Sequence, residues 1–255
     1  MPAALHAYEY WIASYRRVWR GSVVSSVLNP VLYLTALGVG LGTLVNRHGH
    51  HPLGVPYIQF VAAGLLAATG MQIAAFESTY PVMAAIRWTR QYHAQLATPL
   101  RVRDILVGHQ LYIASRVATA SGVYIAILAA FGALRSFYAI LAWPVTVLIG
   151  AAFSGPIAAF AAWTPKDSYF AAFFRFAIVP LFLFSGTFFP VTQLPEGLRQ
   201  LAYATPLWHG VDLARHLTLG TASLGMSLVH VAYLAALCVV GIVLALRTYE
   251  GKLLR

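Results

Sequence analysis

Residues 226–246 read MSLVHVAYLAALCVVGIVLAL, a run without a single Lys, Arg, Asp or Glu. About 20 consecutive apolar residues are what an α-helix needs to cross the hydrocarbon core of a bilayer. The apolar character is continuous, whereas a membrane-barrel strand alternates with a period of two. This stretch therefore predicts a transmembrane helix.

Five further runs of this kind precede it. Each is long enough to cross a bilayer, and no soluble domain or linker separates them. The sequence thus predicts an all-α integral membrane protein with one domain over residues 1–255. Its six predicted spans are residues 21–45, 56–85, 104–134, 137–162, 168–189 and 226–246.

The composition agrees with a multi-pass membrane protein. Of 255 residues, 60% are hydrophobic and only 9% are charged, against about 25% charged in an average soluble domain. This excludes an ordinary soluble enzyme, a disordered tail and a disulfide scaffold. Seventeen Lys and Arg face seven Asp and Glu, but they flank the apolar runs and form no free basic stripe, so we expect no nucleic-acid partner.

The distribution of basic residues predicts the orientation. With six spans, eleven basic residues fall on one side and four on the other, while Arg116 and Arg175 lie inside spans. Positive charge concentrates on the cytoplasmic side of membrane proteins. We therefore expect the N- and C-termini to be cytoplasmic, with the membrane itself as a partner.

The first 20 residues predict an amphipathic helix on the membrane surface. Its apolar positions recur at helical spacing, with arginines beside them, as is typical of helices that face anionic lipid. A plain extension of the first span is the alternative. The apolar positions are Leu5, Tyr8, Ile12, Tyr15 and Trp19, and the arginines are Arg16, Arg17 and Arg20.

The cytoplasmic link between spans 2 and 3, residues 84–100, predicts a docking helix. A helix over 84–97 would end before Thr98-Pro99 and would place Trp88, Tyr92 and Leu96 on one face. Arginine with aromatic residues is typical of protein interfaces. A basic loop that only sets topology is the alternative. The turn 164–168, Thr-Pro-Lys-Asp-Ser, is a weaker second candidate on the same side.

The segment that follows span 5, residues 190–220, is too polar to cross a membrane and too apolar for a free loop. It predicts two short helices divided at Thr205-Pro206. Irregular backbone at membrane depth is tolerated only where it is buried in protein or lines a cavity. We therefore expect a re-entrant hairpin in the outer leaflet.

Three charged residues fall inside predicted spans: Glu77, Arg116 and Arg175. Such residues are costly in lipid and are functional by default. The depths of Glu77 and Arg116 are compatible with an ion pair, which would lock helices together. The alternative is an unneutralised arginine that attracts the anionic headgroup of a lipid-like substrate.

The remaining sequence patterns are weaker evidence for a functional site. Gly38 and Gly42, and the Ala151–Gly155–Ala159 series, have the spacing of closely packed helices, either within one subunit or at a dimer seam. His48, His50 and His51 lie in an outer loop without an accompanying carboxylate or cysteine, so a metal site is not expected. We identify no catalytic set.

Two stretches resemble a known family. Residues 184–215, FSGTFFPVTQLPEGLRQLAYATPLWHGVDLAR, and residues 77–108, ESTYPVMAAIRWTRQYHAQLATPLRVRDILVG, resemble ABC-2 type permeases. These are membrane subunits of exporters for polysaccharides, lipo-oligosaccharides and drugs. The subgroup resembled most is the nodulation-factor exporter and daunorubicin-type drug exporter permeases, which would connect the chain to glycan or lipid export or to antibiotic resistance.

The resemblance implies a homodimer in the bacterial cytoplasmic membrane with two cytoplasmic ABC ATPase subunits, which bind the ATP and Mg²⁺. It also implies residue roles. The ATPase-coupling residues would be Arg87, Trp88, Arg90, Tyr92, Leu96, Thr98, Pro99, Pro165 and Lys166. The substrate pathway would include Glu77, Arg116, Arg175, Phe188 and Phe189, and the outer gate Leu194, Pro195, Pro206, Trp208, His209 and Asp212.

The residues support this division of labour. A phosphate-binding loop requires G-x-x-x-x-G-K-[ST], and the only Gly-Lys pair, Gly251-Lys252, is followed by leucine. We therefore expect that the chain is no enzyme by itself and takes its energy from the partner. Two alternatives stay open: an intramembrane lipid- or glycan-modifying enzyme with His209 and Asp212 at the outer face, and an unpowered channel or scaffold.

Overall fold

The computed structural model describes residues 3–47 and 54–254, and within these ranges the chain is helical without a β-strand. Within these ranges, five helices are long and apolar enough to cross a membrane, and a shorter apolar helix lies between the fourth and the fifth. The all-α class is thus confirmed for the described residues. The long helices are Trp19–Val45, Tyr57–Trp88, Val102–Ala130, Phe137–Trp163 and Leu224–Leu253, and the shorter one is Ser168–Phe184. In chain order these six helices are called spans 1 to 6 below, after the six spans that the sequence predicts.

Spans 2 and 4 form the centre of the bundle. Most of their residues are buried inside the chain, whereas spans 1 and 6 lie at the periphery with most of their surface exposed. Span 4 packs against spans 2, 3 and 6. Because both central helices are apolar on all sides, burial from several directions suits them.

Small residues bring spans 4 and 6 together. A Cβ atom on Gly155 would lie 2.6 Å from the carbonyl carbon of Gly241, and one on Gly241 would lie 2.2 Å from Cδ of Pro156. Gly38 similarly approaches Ile58 of span 2, where a Cβ would lie 2.7 Å from Cγ1. The small-residue patterns around Gly38 and Gly155 therefore serve contacts within one chain.

The N-terminal helix, Ala3–Tyr15, is shorter than the predicted 1–20. It buries Ala7 and Trp11. Ala7 packs closely against span 3, because a Cβ atom on Gly108 would lie 2.6 Å from Cβ of Ala7. Trp19 belongs instead to the next helix and is 47% exposed. The helix is therefore fixed to span 3 along the face that carries Ala7 and Trp11.

Span 5 ends earlier than expected. The sequence predicts a helix over 168–189, but the helix stops at Phe184, because Gly186 adopts the left-handed conformation (φ = 81°). The backbone then turns back against span 2, where a Cβ on Gly64 would lie 2.5 Å from the carbonyl oxygen of Thr187. The hydroxyl of Tyr57 also donates a hydrogen bond to the Phe188 carbonyl at 3.0 Å.

The remaining helices are short. Gln91–Leu96 lies between spans 2 and 3, and Glu196–Tyr203 and Pro206–Leu219 lie between spans 5 and 6. Asp104 caps span 3, since its carboxylate accepts a hydrogen bond from the Arg101 backbone N–H at 3.0 Å. His48, His50 and His51, which the sequence analysis places in an outer loop, lie outside the described residues.

Candidate functional site

The link between spans 2 and 3 differs from the predicted single helix over 84–97. Span 2 continues through a π-helical turn, Ala84–Trp88, and Arg90 then adopts a left-handed conformation (φ = 49°) before the helix Gln91–Leu96 begins. This break rotates the two halves of the expected aromatic stripe apart. Trp88 is 57% exposed, whereas Tyr92 is completely buried and Leu96 is partly buried.

The exposed part of the link meets the second candidate segment. The guanidinium of Arg87 donates a hydrogen bond to the carbonyl oxygen of Pro165 at 3.1 Å. The two segments therefore form one surface, which we call the link face. Its exposed residues from the predicted set are Arg87, Trp88, Arg90, Thr98, Pro99, Pro165 and Lys166.

Two aromatic residues at this end were not predicted. Trp163 is 65% exposed and Tyr169 is 52% exposed, and they flank the 164–168 turn. Aromatic residues are enriched at protein interfaces, so these two exposed side chains enlarge the part of the link face that could contact a partner. The sequence signal was available, because both aromatics adjoin the Pro-Lys turn.

Tyr92 points into the bundle and not toward a partner. Its hydroxyl lies 2.9 Å from Nδ1 of His109 in span 3, and its ring packs 5.7 Å from that of Tyr249 in span 6. Trp11 of the N-terminal helix stacks on His109 at 4.1 Å. The predicted partner contact at Tyr92 is thus corrected: burial makes this residue an internal connection between the link and three other helices.

Replacing Tyr92 by phenylalanine should destabilise the protein by about 1–3 kcal/mol, because Nδ1 of the buried His109 loses its hydrogen-bond partner. The midpoint of thermal unfolding in detergent measures this. Tyr80→Phe is the matched control, since its ring packs against Phe170 and, in the described part of the chain, its hydroxyl makes no hydrogen bond. Equal midpoints for both variants would show that the Tyr92–His109 bond contributes nothing.

Inside the bundle, Glu77 and Arg116 form the pair that their depths suggested. Nε of Arg116 lies 3.3 Å from Oε1 of Glu77, and both side chains are only 16% exposed. The guanidinium also lies 4.3 Å from the ring centroid of Tyr15. Arg116 is therefore neutralised by its neighbour. Arg175, by contrast, is exposed on span 5, away from this pair.

The 190–220 segment contains two helices divided at Thr205-Pro206, as expected. The hydroxyl of Thr205 caps the second helix by accepting a hydrogen bond from the Trp208 N–H at 3.3 Å. The first helix, Glu196–Tyr203, is mostly exposed. The second, Pro206–Leu219, buries most of its residues against spans 2, 4 and 6.

Arg215 anchors this second helix, a role that sequence reasoning missed. Its Nη2 donates to the Gly186 carbonyl at 2.6 Å, and its Nε donates to the Phe60 carbonyl at 3.3 Å. The guanidinium stacks over the Phe60 ring at 3.8 Å. Burial lowers the pKa of Arg215 to about 10, so the side chain keeps its charge at neutral pH. Its partners lie 29 and 155 residues away, which no local pattern could indicate.

A polar network connects the second helix to span 6. Nδ1 of His209 lies 2.8 Å from Nδ1 of His230, and Nε2 of His230 lies 3.2 Å from Oδ2 of Asp212. His216 approaches the same oxygen at 3.6 Å. Tyr233 stacks on His209 at 3.9 Å. Of the predicted gate residues, the structure thus brings His209, Asp212 and Trp208 together, whereas Leu194 and Pro195 lie before the exposed first helix.

This network should make the docking of the second helix sensitive to acid. Burial, and then the proximity of His230, lower the pKa of His209. Burial alone would raise the pKa of Asp212, but its contacts with His230 and His216 outweigh burial and lower it. Both groups bind fewer protons in the folded state than in the unfolded state. The contribution of these two groups to the free energy of unfolding is therefore fully present above about pH 6.5 and decreases as the pH falls.

We expect the unfolding midpoint of the purified protein to decrease from pH 7.5 to pH 5. His209→Gln should reduce this dependence, because it removes one histidine whose pKa burial lowers. The slope of midpoint against pH is the quantity to compare. An unchanged slope in His209→Gln would contradict the assignment.

The two ends of the bundle are distinct. The link face, together with the Tyr92–His109 contact, lies at the end where span 2 gives way to span 3. The hairpin and its histidine network lie where span 5 gives way to span 6. Phe188 packs edge-on against Phe182 at 4.9 Å near the hairpin. The predicted pathway residues are therefore spread along the bundle, and among the three charged ones Glu77 and Arg116 are in contact.

The chain is similar to a family of transporters and to several individual proteins. The profile of the ABC-2 type transporter family matches residues 8–219. A protein named Nodulation protein J from Rhizobium leguminosarum bv. viciae is 34% identical over 253 residues, which cover 96% of this chain and 95% of the relative. A second protein of that name, from Rhizobium meliloti (strain 1021), is 34% identical over 91% of this chain and 88% of the relative. A third, from Bradyrhizobium diazoefficiens, is 32% identical, with coverage of 100% and 97%.

Proposed function

Because this chain belongs to the ABC-2 type transporter family, we propose that it is the permease subunit of an ATP-driven exporter. The substrate would be amphipathic, lipid-linked or drug-like. Membership in this family implies an ATPase partner within an ABC transporter. We propose two copies of that ATPase, which bind ATP and Mg²⁺, and a second copy of this permease.

The link face is the observation that carries the proposal. It joins two separate cytoplasmic segments through the Arg87–Pro165 hydrogen bond and presents Trp88 and basic side chains to solvent. Beneath it, Tyr92 connects the link to spans 3 and 6. Movement of a bound ATPase would in this way reach the membrane helices through direct contacts and not through a loose loop.

We propose that the chain crosses the bacterial cytoplasmic membrane six times, with both termini in the cytoplasm. Span 5, at 17 residues, is at the lower limit for a crossing helix, and the backbone after it turns back against span 2. The 190–220 hairpin would then gate the exit. Glu77, Arg116, Arg175, Phe188 and Phe189 would mark the pathway between the two ends.

Coexpression with an ABC ATPase, encoded beside this gene where one exists, tests the proposal. The permease should co-purify with the ATPase, and the complex should hydrolyse ATP. Substituting Trp88→Ala and Arg90→Glu together should reduce co-purified ATPase at least tenfold, since truncating an exposed aromatic anchor removes a large share of binding energy. Tyr138→Ala, an exposed aromatic residue (61%) at the other end of span 4, should have no effect. Failure to recover an ATPase would favour the channel or enzyme alternatives.

A further inference from the structure

An apolar groove of about 310 Å³ lies between the start of span 4, the second hairpin helix (Pro206–Leu219) and the start of span 6. Pro144 and Leu148 of span 4 line it, together with Leu217 of the hairpin helix and Val231 of span 6. Pro144 and Val231 are exposed, so the groove opens on the side of the bundle. In a chain that crosses the bilayer, an opening of this kind faces the surrounding lipid.

A polar cavity of about 80 Å³ adjoins this groove, because Leu213 and Ser227 line both. Its volume is large enough for a group of a few heavy atoms. Groove and cavity therefore form one continuous site with an apolar part and a polar part. The polar residues of the cavity are Asp212, His216, Thr221, Ser223, Ser227 and His230.

The two parts lie at different depths. Thr221 and Ser223 of the cavity precede span 6, which begins at Leu224. Val231 of the groove lies two turns into that helix, about 10 Å deeper. The polar part is thus near the membrane surface and the apolar part extends toward the centre. A membrane phospholipid has the same order, with its headgroup at the surface and its acyl chains inside.

The carboxylate of Asp212 has one oxygen available for a ligand. Its Oδ2 lies 3.2 Å from Nε2 of His230 and 3.6 Å from Nε2 of His216. Among residues 3–47 and 54–254, no hydrogen bond or ion pair reaches its Oδ1. The neighbouring Arg215 does not line the cavity, since its N–H groups bond to backbone carbonyls on the other side of the helix.

His230 supplies an independent observation. Its side chain is 2% exposed, and within the described ranges its Nε2 has no hydrogen-bond partner, because the contact with Asp212 lacks hydrogen-bond geometry. Its Nδ1 lies 2.8 Å from Nδ1 of His209. When the Nδ1 of His230 carries the proton, its Nε2 is an acceptor that faces a carboxylate. A donor bound beside both atoms would satisfy them together.

These acceptors favour a cationic donor. Carboxylate, imidazole and hydroxyl groups line the cavity, and no Lys or Arg side chain does. A phosphate in the cavity would meet the Asp212 carboxylate, which disfavours it. A primary ammonium carries three N–H donors, as in lysine, whereas a quaternary ammonium carries none. The fitting headgroup therefore ends in a primary ammonium.

We propose that this site binds a phospholipid of the surrounding membrane whose headgroup ends in a primary ammonium. The ammonium lies beside Oδ1 of Asp212 and Nε2 of His230, and one acyl chain lies along Pro144, Leu148 and Val231. The lipid thereby contacts the second hairpin helix and spans 4 and 6 together. The proposed orientation decides only that the outer leaflet supplies the lipid.

The test is native mass spectrometry of the full chain in detergent, titrated with dioleoyl phosphatidylethanolamine, phosphatidylcholine or phosphatidylglycerol. Phosphatidylethanolamine should bind about tenfold more tightly than the other two, as expected for a hydrogen bond between charged groups. The three lipids have the same acyl chains, so the comparison isolates the headgroup. Equal affinity for phosphatidylcholine, or tighter binding of phosphatidylglycerol, would overturn the inference.

Two variants test the two parts of the site. Asp212→Asn should remove the preference for phosphatidylethanolamine, whereas Glu196→Gln, a 78% exposed carboxylate on the first hairpin helix, should keep it. Val231→Trp should fill the groove and weaken binding of phosphatidylethanolamine at least tenfold. Val239→Trp is its matched control, because Val239 is 62% exposed on the same span and does not line the groove.

Unfolding midpoints show whether each variant is folded. If Asp212→Asn does not fold, Val231→Trp decides the test, since Val231 takes no part in the histidine network. An unchanged lipid preference in folded Asp212→Asn, or equal losses in Val231→Trp and Val239→Trp, would contradict the proposal. No ATPase is present in these measurements, so their outcome is independent of whether an ATPase assembles at the link face.

Discussion

Replacing Gly241 by leucine is expected to prevent the recovery of folded protein. Even a single Cβ at this position would lie 2.2 Å from Cδ and 2.7 Å from Cγ of Pro156. A proline ring cannot rotate out of the way, so spans 4 and 6 would have to separate. We expect a loss at or above the upper end of the range of about 1–3 kcal/mol for overpacked interiors.

The yield of monodisperse protein on size exclusion, and the unfolding midpoint of what remains, measure the effect. Gly251→Leu is the matched control on the same helix, because a Cβ at Gly251 has no neighbour within 4 Å in the described structure. A Gly241→Leu variant as stable as the Gly251→Leu control would show that spans 4 and 6 do not pack as described.

Neutralising one member of the Glu77–Arg116 pair should have a comparable effect. Arg116→Met leaves the mostly buried carboxylate of Glu77 without its counter-charge. Glu77→Gln leaves the mostly buried guanidinium of Arg116 without its counter-charge. Removing one partner of a buried pair costs about 3–5 kcal/mol, whereas removing both is often much less harmful. The double variant should therefore recover a large part of the stability that either single variant loses.

A double-mutant cycle on the unfolding midpoint measures this coupling. Arg175→Met provides the control, since that arginine is exposed on span 5 and its loss should change the midpoint little. Independent effects of the two single substitutions would contradict the pairing. If a folded Arg116 variant still forms the complex with the ATPase, Arg116 acts within the membrane-spanning bundle and not at the link face.

The elements that local chemistry determines were predictable. The long apolar runs predict helices because the hydrocarbon core requires their backbone to be internally bonded. Thr205-Pro206 divides the hairpin because proline favours the first turn of a helix and threonine caps it. Glu77 and Arg116 were recognisable as a pair because a charge inside a span requires a partner.

The features that depend on distant parts of the chain were not predictable. Arg90 breaks the link in a left-handed conformation, so the regular spacing of Trp88, Tyr92 and Leu96 suggested one face where there are two. Tyr92 is buried because His109, Tyr249 and Trp11 meet around it. In the sequence Arg215 resembled any basic residue of an outer segment, and only its bonds to the Phe60 and Gly186 carbonyls show that it anchors a helix.

The protein that contacts the link face determines how this chain is driven. Trp88 replaced by the photo-crosslinker benzoylphenylalanine should, on illumination of cells, form a covalent product with a polypeptide whose peptides include Walker A and Walker B sequences. The same crosslinker at Tyr138, exposed at the other end of span 4, should not. Absence of an ABC ATPase from the Trp88 product, or its equal capture at Tyr138, would contradict the claim that this chain is driven through its link face.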